Sequence, residues 1–270
     1  MINKVRVDLA LVSRGISDSR EKAQAQIMAG LVYVGERKIL KPSEQVGEEE
    51  MLTLRGSANP FVSRGGLKLE KALQVFQGDV KGVVAMDVGA ATGGFTDVLL
   101  QNGAQHVYAI DVGYGQLDWR LRNHPQVTVM ERTNARHLTI EQFVHHPTLT
   151  VMDVSFISIR LILPVAAKIM GNGGCFYTLI KPQFEAGRDG VGKKGVVRDP
   201  AVHQKVLEEI VAFAPTFGWQ VKQLSFSPIT GPEGNIEFLA HILPASDQFV
   251  PVSQSTIKDL VEEAHFSLRK

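Results

Sequence analysis

One cysteine in 270 residues excludes a disulfide framework and a cysteine-based zinc site, and no metal is expected. Cys175 lies in the apolar run Gly174 to Ile180, where it reads as a small buried hydrophobe rather than a nucleophile. An excess of charge of either sign is also missing. Lys and Arg number 29 against 28 Asp and Glu, so no whole-molecule field holds a polyanion, and nucleic-acid affinity must come from local clusters. No apolar run of about 18 residues occurs; the longest, Leu161 to Met170, is broken by Lys168 and reads as a core helix, so no membrane partner is expected. The stretch Met1-Ile-Asn-Lys-Val-Arg-Val-Asp-Leu9 carries a charge every two or three residues, unlike a secretory signal, and the expected location is cytoplasmic.

What is present suits a globular chain of one or two domains, 44% hydrophobic and 21% charged, without internal repeats. Residues 1–56 read as a small helical and strand unit. Val5, Leu9 and Val12 recur at helical spacing, and a second helix is expected from Ser19 as N-cap through Ala23 and Ile27 to Gly30. Val32-Tyr-Val34 begins a strand with Met51-Leu-Thr-Leu54 as partner. The turn-rich Gly56-Ser-Ala-Asn-Pro60 marks a linker, placed at 57–62, and a second domain fills 63–270.

In that second part a helix is expected from Gly66 to Phe76, followed by strands at Val83–Asp87, His106–Asp111, Val127–Met130, Leu149–Asp153 and Gly174–Ile180. Short β-branched runs separated by helical segments indicate parallel βαβ units. Asp199-Pro200 caps a helix to Ala214. The strands Gln220–Phe226 and Asn235–Leu243 lack room for a crossover and should pair antiparallel. Ile257, Leu260, Val261, Ala264 and Leu268 form the apolar face of a closing helix.

Asp87-Val-Gly-Ala-Ala-Thr-Gly-Gly-Phe-Thr-Asp97 joins an acidic strand end to three glycines and a helix start, at the edge where parallel sheets bind ligands. It is neither G-x-G-x-x-G nor a phosphate loop. With no pyrophosphate to cradle, an acid beside the turn fits a cationic ligand such as S-adenosylmethionine. Asp111, about 24 residues on, ends the next strand where a ribose diol would be held, and Glu131-Arg-Thr-Asn134 offers an edge for adenine. Taken singly, the glycines could serve only a tight turn and Asp111 only a helix cap; together they point to a cofactor. The candidate cofactor residues are Asp87, Gly89, Ala90, Thr92, Gly93, Gly94, Phe95, Thr96, Asp111, Asn134 and Asp153.

Four polar residues stand where a core would not put them: Lys68 opening the first helix, Asp153 and Lys181 ending strands, and Glu237 within Asn235-Ile-Glu-Phe-Leu239. The last three should converge at one rim of the sheet. Such a set suits methyl transfer to a weakly acidic hydroxyl, which needs in-line positioning and removal of one proton. Lys181 is the candidate base if burial and the Lys68 cation favour its neutral form; Asp153 and Glu237 favour the charged form, and the sequence leaves that contest open. The glycine-rich, basic stretch between Pro182 and Asp199 is a candidate lid, with Arg188, Lys193, Lys194 and Arg198 to hold phosphates.

Val62-Ser-Arg-Gly-Gly-Leu-Lys68, Asp87 to Thr96, Ile110-Asp-Val-Gly-Tyr-Gly-Gln-Leu117, Asp153-Val-Ser-Phe-Ile-Ser158, Ile180-Lys-Pro-Gln-Phe-Glu185 and Gly234-Asn-Ile-Glu-Phe238 resemble the TlyA family, also known as haemolysin A, along nearly the whole chain. The resemblance implies an FtsJ-like, S-adenosylmethionine-dependent ribose 2′-O-methyltransferase acting on cytidines of 16S and 23S ribosomal RNA, with ribosomal RNA or subunits as partners. Its fold would be α/β and Rossmann-like, a mostly parallel seven-stranded sheet with the last strand antiparallel, preceded by a small α+β RNA-binding domain. Lys68, Asp153, Lys181 and Glu237 would occupy the family's Lys-Asp-Lys-Glu tetrad.

Residues 1–56 are similar to the RNA-binding fold named after ribosomal protein S4: Arg6-Val-Asp8, Ser19-Arg20, Ala23, Ile27, Gly30, Val32 and Val34 fall on its pattern. Lys4, Arg6, Arg14, Arg20, Lys22, Arg37, Lys38 and Lys41 outnumber Asp8, Asp18, Glu21 and Glu36 there, while Glu48 to Glu50 form a separate acidic edge, and Arg64 adds a cation in the second domain; a basic face of this kind docks structured RNA by shape. Two departures stand out: Gly35 directly follows Val34 where the pattern has Asn, and Ala91 replaces a Ser in the cofactor loop. The competing readings are a cytolysin, which needs an apolar span that is missing, and a non-catalytic RNA-binding protein, which would not bind S-adenosylmethionine.

Overall fold

In the computed structural model, which describes residues 4–55, 59–247 and 250–268, the chain divides into two compact units, Met1–Pro60 and Phe61–Lys270. Residues 56–58, on which part of the expected linker falls, lie outside the described residues.

The first unit runs β1 (Lys4–Arg6), α1 (Val7–Ser13), α2 (Arg20–Met28), β2 (Val32–Val34), β3 (Arg37–Lys38), β4 (Gln45–Gly47) and β5 (Leu52–Leu54). β2 pairs antiparallel with β3 and β5, and β1 with β4. Ser19 caps α2 by accepting the Lys22 amide at 3.2 Å, and Gly30 leaves the helix at φ +70°. The face expected for the first helix is wrong. Val5 belongs to β1, Val5 and Leu9 are exposed, and α1 instead buries Val7, Ala10 and Leu11 at i, i+3, i+4 spacing. The chain stays extended through Arg6, so counting a helical period from Val5 runs across a strand. Gly35, where the family pattern has Asn, takes φ +57° between β2 and β3, and Arg55 holds that turn through the Gly35 carbonyl and the Glu36 carboxylate.

The second unit runs α3 (Gly66–Val75), β6 (Val84–Val88), α4 (Gly94–Gln101), β7 (His106–Ile110), α5 (Trp119–Arg122), β8 (Val127–Met130), β9 (Leu149–Met152), α6 (Leu163–Met170), β10 (Cys175–Ile180), α7 (Pro182–Glu185), α8 (Pro200–Phe213), β11 (Trp219–Phe226), β12 (Phe238–Pro244) and α9 (Gln254–Leu268). Seven strands form one sheet in the order β11-β12-β10-β9-β6-β7-β8, and β12 alone runs antiparallel to its neighbours. Alternation sorts side chains to two faces. Met86, Val88, Tyr108 and Phe176 pack under α6, α8 and α9, while Ala85, Val107, Leu149 and Val151 pack under α3 and α4. The chain leaves β6 toward β7 on one side and returns to β9 on the other, which opens a crevice at the carboxyl ends of β6 and β9.

Glu237 is not inside a strand. β12 begins at Phe238, which pairs with Ile180, the last residue of β10, so Glu237 has no neighbour on that side. The stretch after Pro182 is not one open loop either. α7 and two single-turn 3-10 segments, Arg188–Gly190 and Lys193–Gly195, break it up, and Asn235 pins its end by accepting the Val197 amide at 2.9 Å and donating to the Gly195 carbonyl at 3.0 Å.

Candidate functional site

The turn after β6 is built for close approach. Gly89 has φ +85°, and a Cβ there would lie 2.7 Å from the Asp153 carbonyl oxygen, so only glycine lets the turns after β6 and β9 touch. Ala91 takes φ +46° and donates its amide to Asp111 Oδ2 at 2.8 Å, while Gly113 donates to Oδ1 at 2.7 Å. Asp111 is thereby fixed at the end of β7, on the wall of the larger cavity. Gly89, Asp111, Asn134 and Asp153 line a cavity of about 440 Å³, within the size range of nucleoside-sized ligands.

Ala90, Thr92, Gly94 and Phe95 line a second, adjoining cavity of about 260 Å³. The remaining expected cofactor residues, Asp87, Gly93 and Thr96, are on neither wall. Gly93 packs against Leu117 and Leu121. Asp87 is fully buried on the α4 side of the sheet, accepts the Thr96 hydroxyl at 2.6 Å, and is pushed up to about 7 by burial despite that bond. It ties β6 to α4 instead of facing a cationic ligand.

The four separated polar residues do come together on the smaller cavity. Lys68 Nζ lies 2.7 Å from Glu237 Oε2 and 3.1 Å from Asp153 Oδ2; Lys181 Nζ lies 2.5 Å from Asp153 Oδ1. Lys68 stands on the first turn of α3, and Asp153 and Lys181 directly follow β9 and β10. Because β12 is antiparallel, its beginning reaches the rim where the parallel strands end, which is how Glu237 arrives. Burial alone would lower Lys68, but Asp153 and Glu237 outweigh it and hold the ammonium above its ordinary range. Burial would likewise raise Asp153, and the two lysines outweigh it and hold the carboxyl below its ordinary range. The cluster therefore keeps one lysine firmly charged by two carboxylates and places the second against a carboxylate at the cavity wall.

Sequence reasoning missed two residues here. Ser155 accepts a hydrogen bond from Lys181 Nζ at 3.0 Å and lines both cavities. Phe156 is 92% exposed at φ +63°, borders the larger cavity and tilts against Phe184 with ring centroids 5.2 Å apart. A phenylalanine in an apolar stretch reads as core, and nothing local signals a left-handed backbone.

The expected RNA-binding cations are placed as follows. Arg6 and Arg20 both grip the buried Asp8, at 2.9 and 3.0 Å. Arg14 donates to the carbonyls of Gly47 and Glu50, Lys22 pairs with Asp18, and Arg37 with Glu44. Lys38 and Lys41 are exposed. In the second unit Arg64 borders the smaller cavity and donates to the Thr230 carbonyl at 2.9 Å. Arg188 and Lys194 are exposed, and the side chain of Lys193 lies outside the described residues. Among the described residues no helix is long and apolar enough to cross a membrane.

Residues 61–242 match the family described as FtsJ-like methyltransferase. The chain belongs to the FtsJ-like methyltransferases. Residues 5–52 of this FtsJ-like methyltransferase match the S4 domain. It is similar to a Bacillus subtilis protein named "Putative rRNA methyltransferase YqxC", 50% identical over 99% of this chain and 96% of that one. It is also similar to the "16S/23S rRNA (cytidine-2'-O)-methyltransferase TlyA" of Mycobacterium tuberculosis, 41% identical over 98% of each chain. A solved structure described as "Putative hemolysin from Streptococcus thermophilus" is 47% identical, with a TM-score of 0.77 over 99% of this chain and 98% of that one.

Proposed function

We propose that this FtsJ-like methyltransferase moves a methyl group from S-adenosylmethionine to the 2′-hydroxyl of a cytidine ribose in 16S or 23S ribosomal RNA. The observation that carries the reading is the convergence of Lys68, Asp153, Lys181 and Glu237 on a cavity that shares Gly89 and Asp153 with a nucleoside-sized crevice. When bound, S-adenosylmethionine supplies an electrophilic methyl on a sulfonium. Asp111 would accept from its ribose diol, Asn134 would meet its adenine, and Gly89 would let the backbone approach it.

In the smaller cavity, Lys181 in its neutral form accepts the proton of the 2′-hydroxyl as the ribose oxygen bonds to the methyl carbon and the carbon–sulfur bond breaks. Lys68, locked between Asp153 and Glu237, stays protonated and fixes the Asp153 carboxylate against Lys181. Positioning of this kind contributes about 7–11 kcal/mol to lowering the barrier, and a general base a further factor of about 10² to 10⁴. Orientation outweighs proton removal.

The domain limits in this reading are 1–56 for RNA docking, 57–62 for the linker and 63–270 for catalysis. Arg6, Arg14, Arg20, Lys22, Arg37, Lys38 and Lys41 contact phosphates from the first domain; Arg64, Arg188, Lys193 and Lys194 do so from the second. The substrate would be met in the cytoplasm. The test is transfer of labelled methyl from S-adenosylmethionine to isolated ribosomal subunits, with sites read by mapping ribose methylation. Transfer that Lys68→Ala, Asp153→Ala and Lys181→Ala each leave unchanged would refute the site, and methyl found on a base instead of a ribose would refute the reaction.

A further inference from the structure

Lys181 Nζ has two polar neighbours, the Asp153 carboxylate at 2.5 Å and the Ser155 hydroxyl at 3.0 Å, and its remaining side faces the smaller cavity. Ser155 is exposed and stands on the wall common to both cavities. A neutral lysine amine carries two N–H donors and one lone pair in a tetrahedral arrangement. With one donor given to Ser155 and the Asp153 carboxylate against another side of the amine, the lone pair is left the direction of the smaller cavity.

We propose that Ser155 is a positioning residue that aims the Lys181 lone pair into the smaller cavity, where the substrate hydroxyl would lie. The proposal rests on Lys181 being the base. With Asp153 as its only polar neighbour, a turn about Cε–Nζ would exchange the second N–H and the lone pair while a donor still met the carboxylate, and the lone pair would point away from the hydroxyl part of the time. A serine hydroxyl suits the second acceptor because it is neutral. A second carboxylate there would hold the amine in its ammonium form, whereas a neutral hydroxyl accepts from both forms and favours the ammonium only slightly. The charged groups around Lys181 are Asp153 after β9, Lys68 on α3 and Glu237 ahead of β12; Ser155 adds direction to that set without adding charge.

The experiment compares Ser155→Ala and Ser155→Thr with the unmodified chain in steady-state methyl transfer to ribosomal subunits over a range of pH, with Lys181→Ala alongside. Loss of one hydrogen bond to the base predicts a fall in kcat of about tenfold for Ser155→Ala, with KM for both substrates within about twofold. An acceptor that favours ammonium over amine would be gone, so the midpoint of the rising limb of the kcat profile moves to lower pH. Ser155→Thr restores both. Calorimetric binding of S-adenosylmethionine reports whether each variant is folded. An unchanged kcat in Ser155→Ala, or a fall with the midpoint unmoved and no rescue by threonine, overturns the proposal while a dead Lys181→Ala leaves the base assignment standing. Wild-type transfer by Lys181→Ala overturns both.

Discussion

Each unit sets one aspartate between two basic side chains, fully buried at Asp8 and half-buried at Asp153, and the two sites differ in which base is used. Asp8 accepts from Arg6 through both of its oxygens, from Gln24 and from Arg20; the Arg6 bond contributes most to holding the carboxyl well below its usual range, against the pull of burial. Asp153 accepts from Lys68 and forms an ion pair with Lys181. A guanidinium never gives up its proton in a protein, and its planar fork fixes direction, so the Asp8 site is a permanent bracket whose arginines keep outer edges for other anions. An ammonium can lose its proton, so the same grip on two lysines yields a site able to handle one. One device, a carboxylate shared by two cations, makes a fixed bracket in the first unit and, in the proposed reaction, a site for proton exchange in the second.

Swapping the cations breaks this comparison most severely. Lys181→Arg keeps the charge and removes the proton acceptor, and kcat for methyl transfer is expected to fall by a factor of about 10² to 10⁴, with S-adenosylmethionine binding by calorimetry preserved. Next comes Lys68→Met, which leaves Asp153 and the buried Glu237 without their shared cation. Breaking such a buried pair costs about 3–5 kcal/mol, read as a lower denaturant midpoint for the second unit.

A smaller, pH-dependent effect distinguishes a bridged carboxyl from an unbridged one. Among the described residues no cation pairs with Asp87, which is raised to about 7, so the folded state holds its proton over a range in which an unfolded aspartate, near about 3.9, has lost it. The second unit therefore loses stability as the pH rises from about 4 to about 7, and thermal unfolding of Asp87→Asn should lack that decline. Asp8 has the opposite sign. Its lowered carboxyl contributes fully above the range in which an unfolded aspartate titrates, and that contribution fades as acid is added below about pH 4. Smallest is Arg20→Ala, expected to weaken RNA binding several-fold and to reduce the slope of log affinity against log salt by about 1, with the kcat of bound substrate unmoved.

The cap at Ser19, the Asp199-Pro200 helix start and the antiparallel pairing of β11 with β12 were legible because each depends on local chemistry. The lysines and acids of the cluster were legible because charge at the end of an apolar run has few structural reasons to be there. What stayed hidden depended on tertiary contacts. The inward face of α1 follows from where β1 stops; Asp87 turns out to be buried because the odd-numbered side of β6 lies under α4; Ser155 finds Lys181 only once β9 and β10 are neighbours. Phe156 adopts a backbone that its residue type disfavours, and propensity points away from it.

The contact between Gly89 and the Asp153 carbonyl leaves no slack between the wall that would cradle a nucleoside and the wall that carries Lys181. A methyl group added at position 89 would have to displace the peptide of Asp153, and with it the partner of both ammonium groups. The two pockets are therefore mechanically joined at this point: a side chain at position 89 that reshaped the first would shift Asp153 in the second, so a redesign of the first pocket would have to begin somewhere other than this glycine.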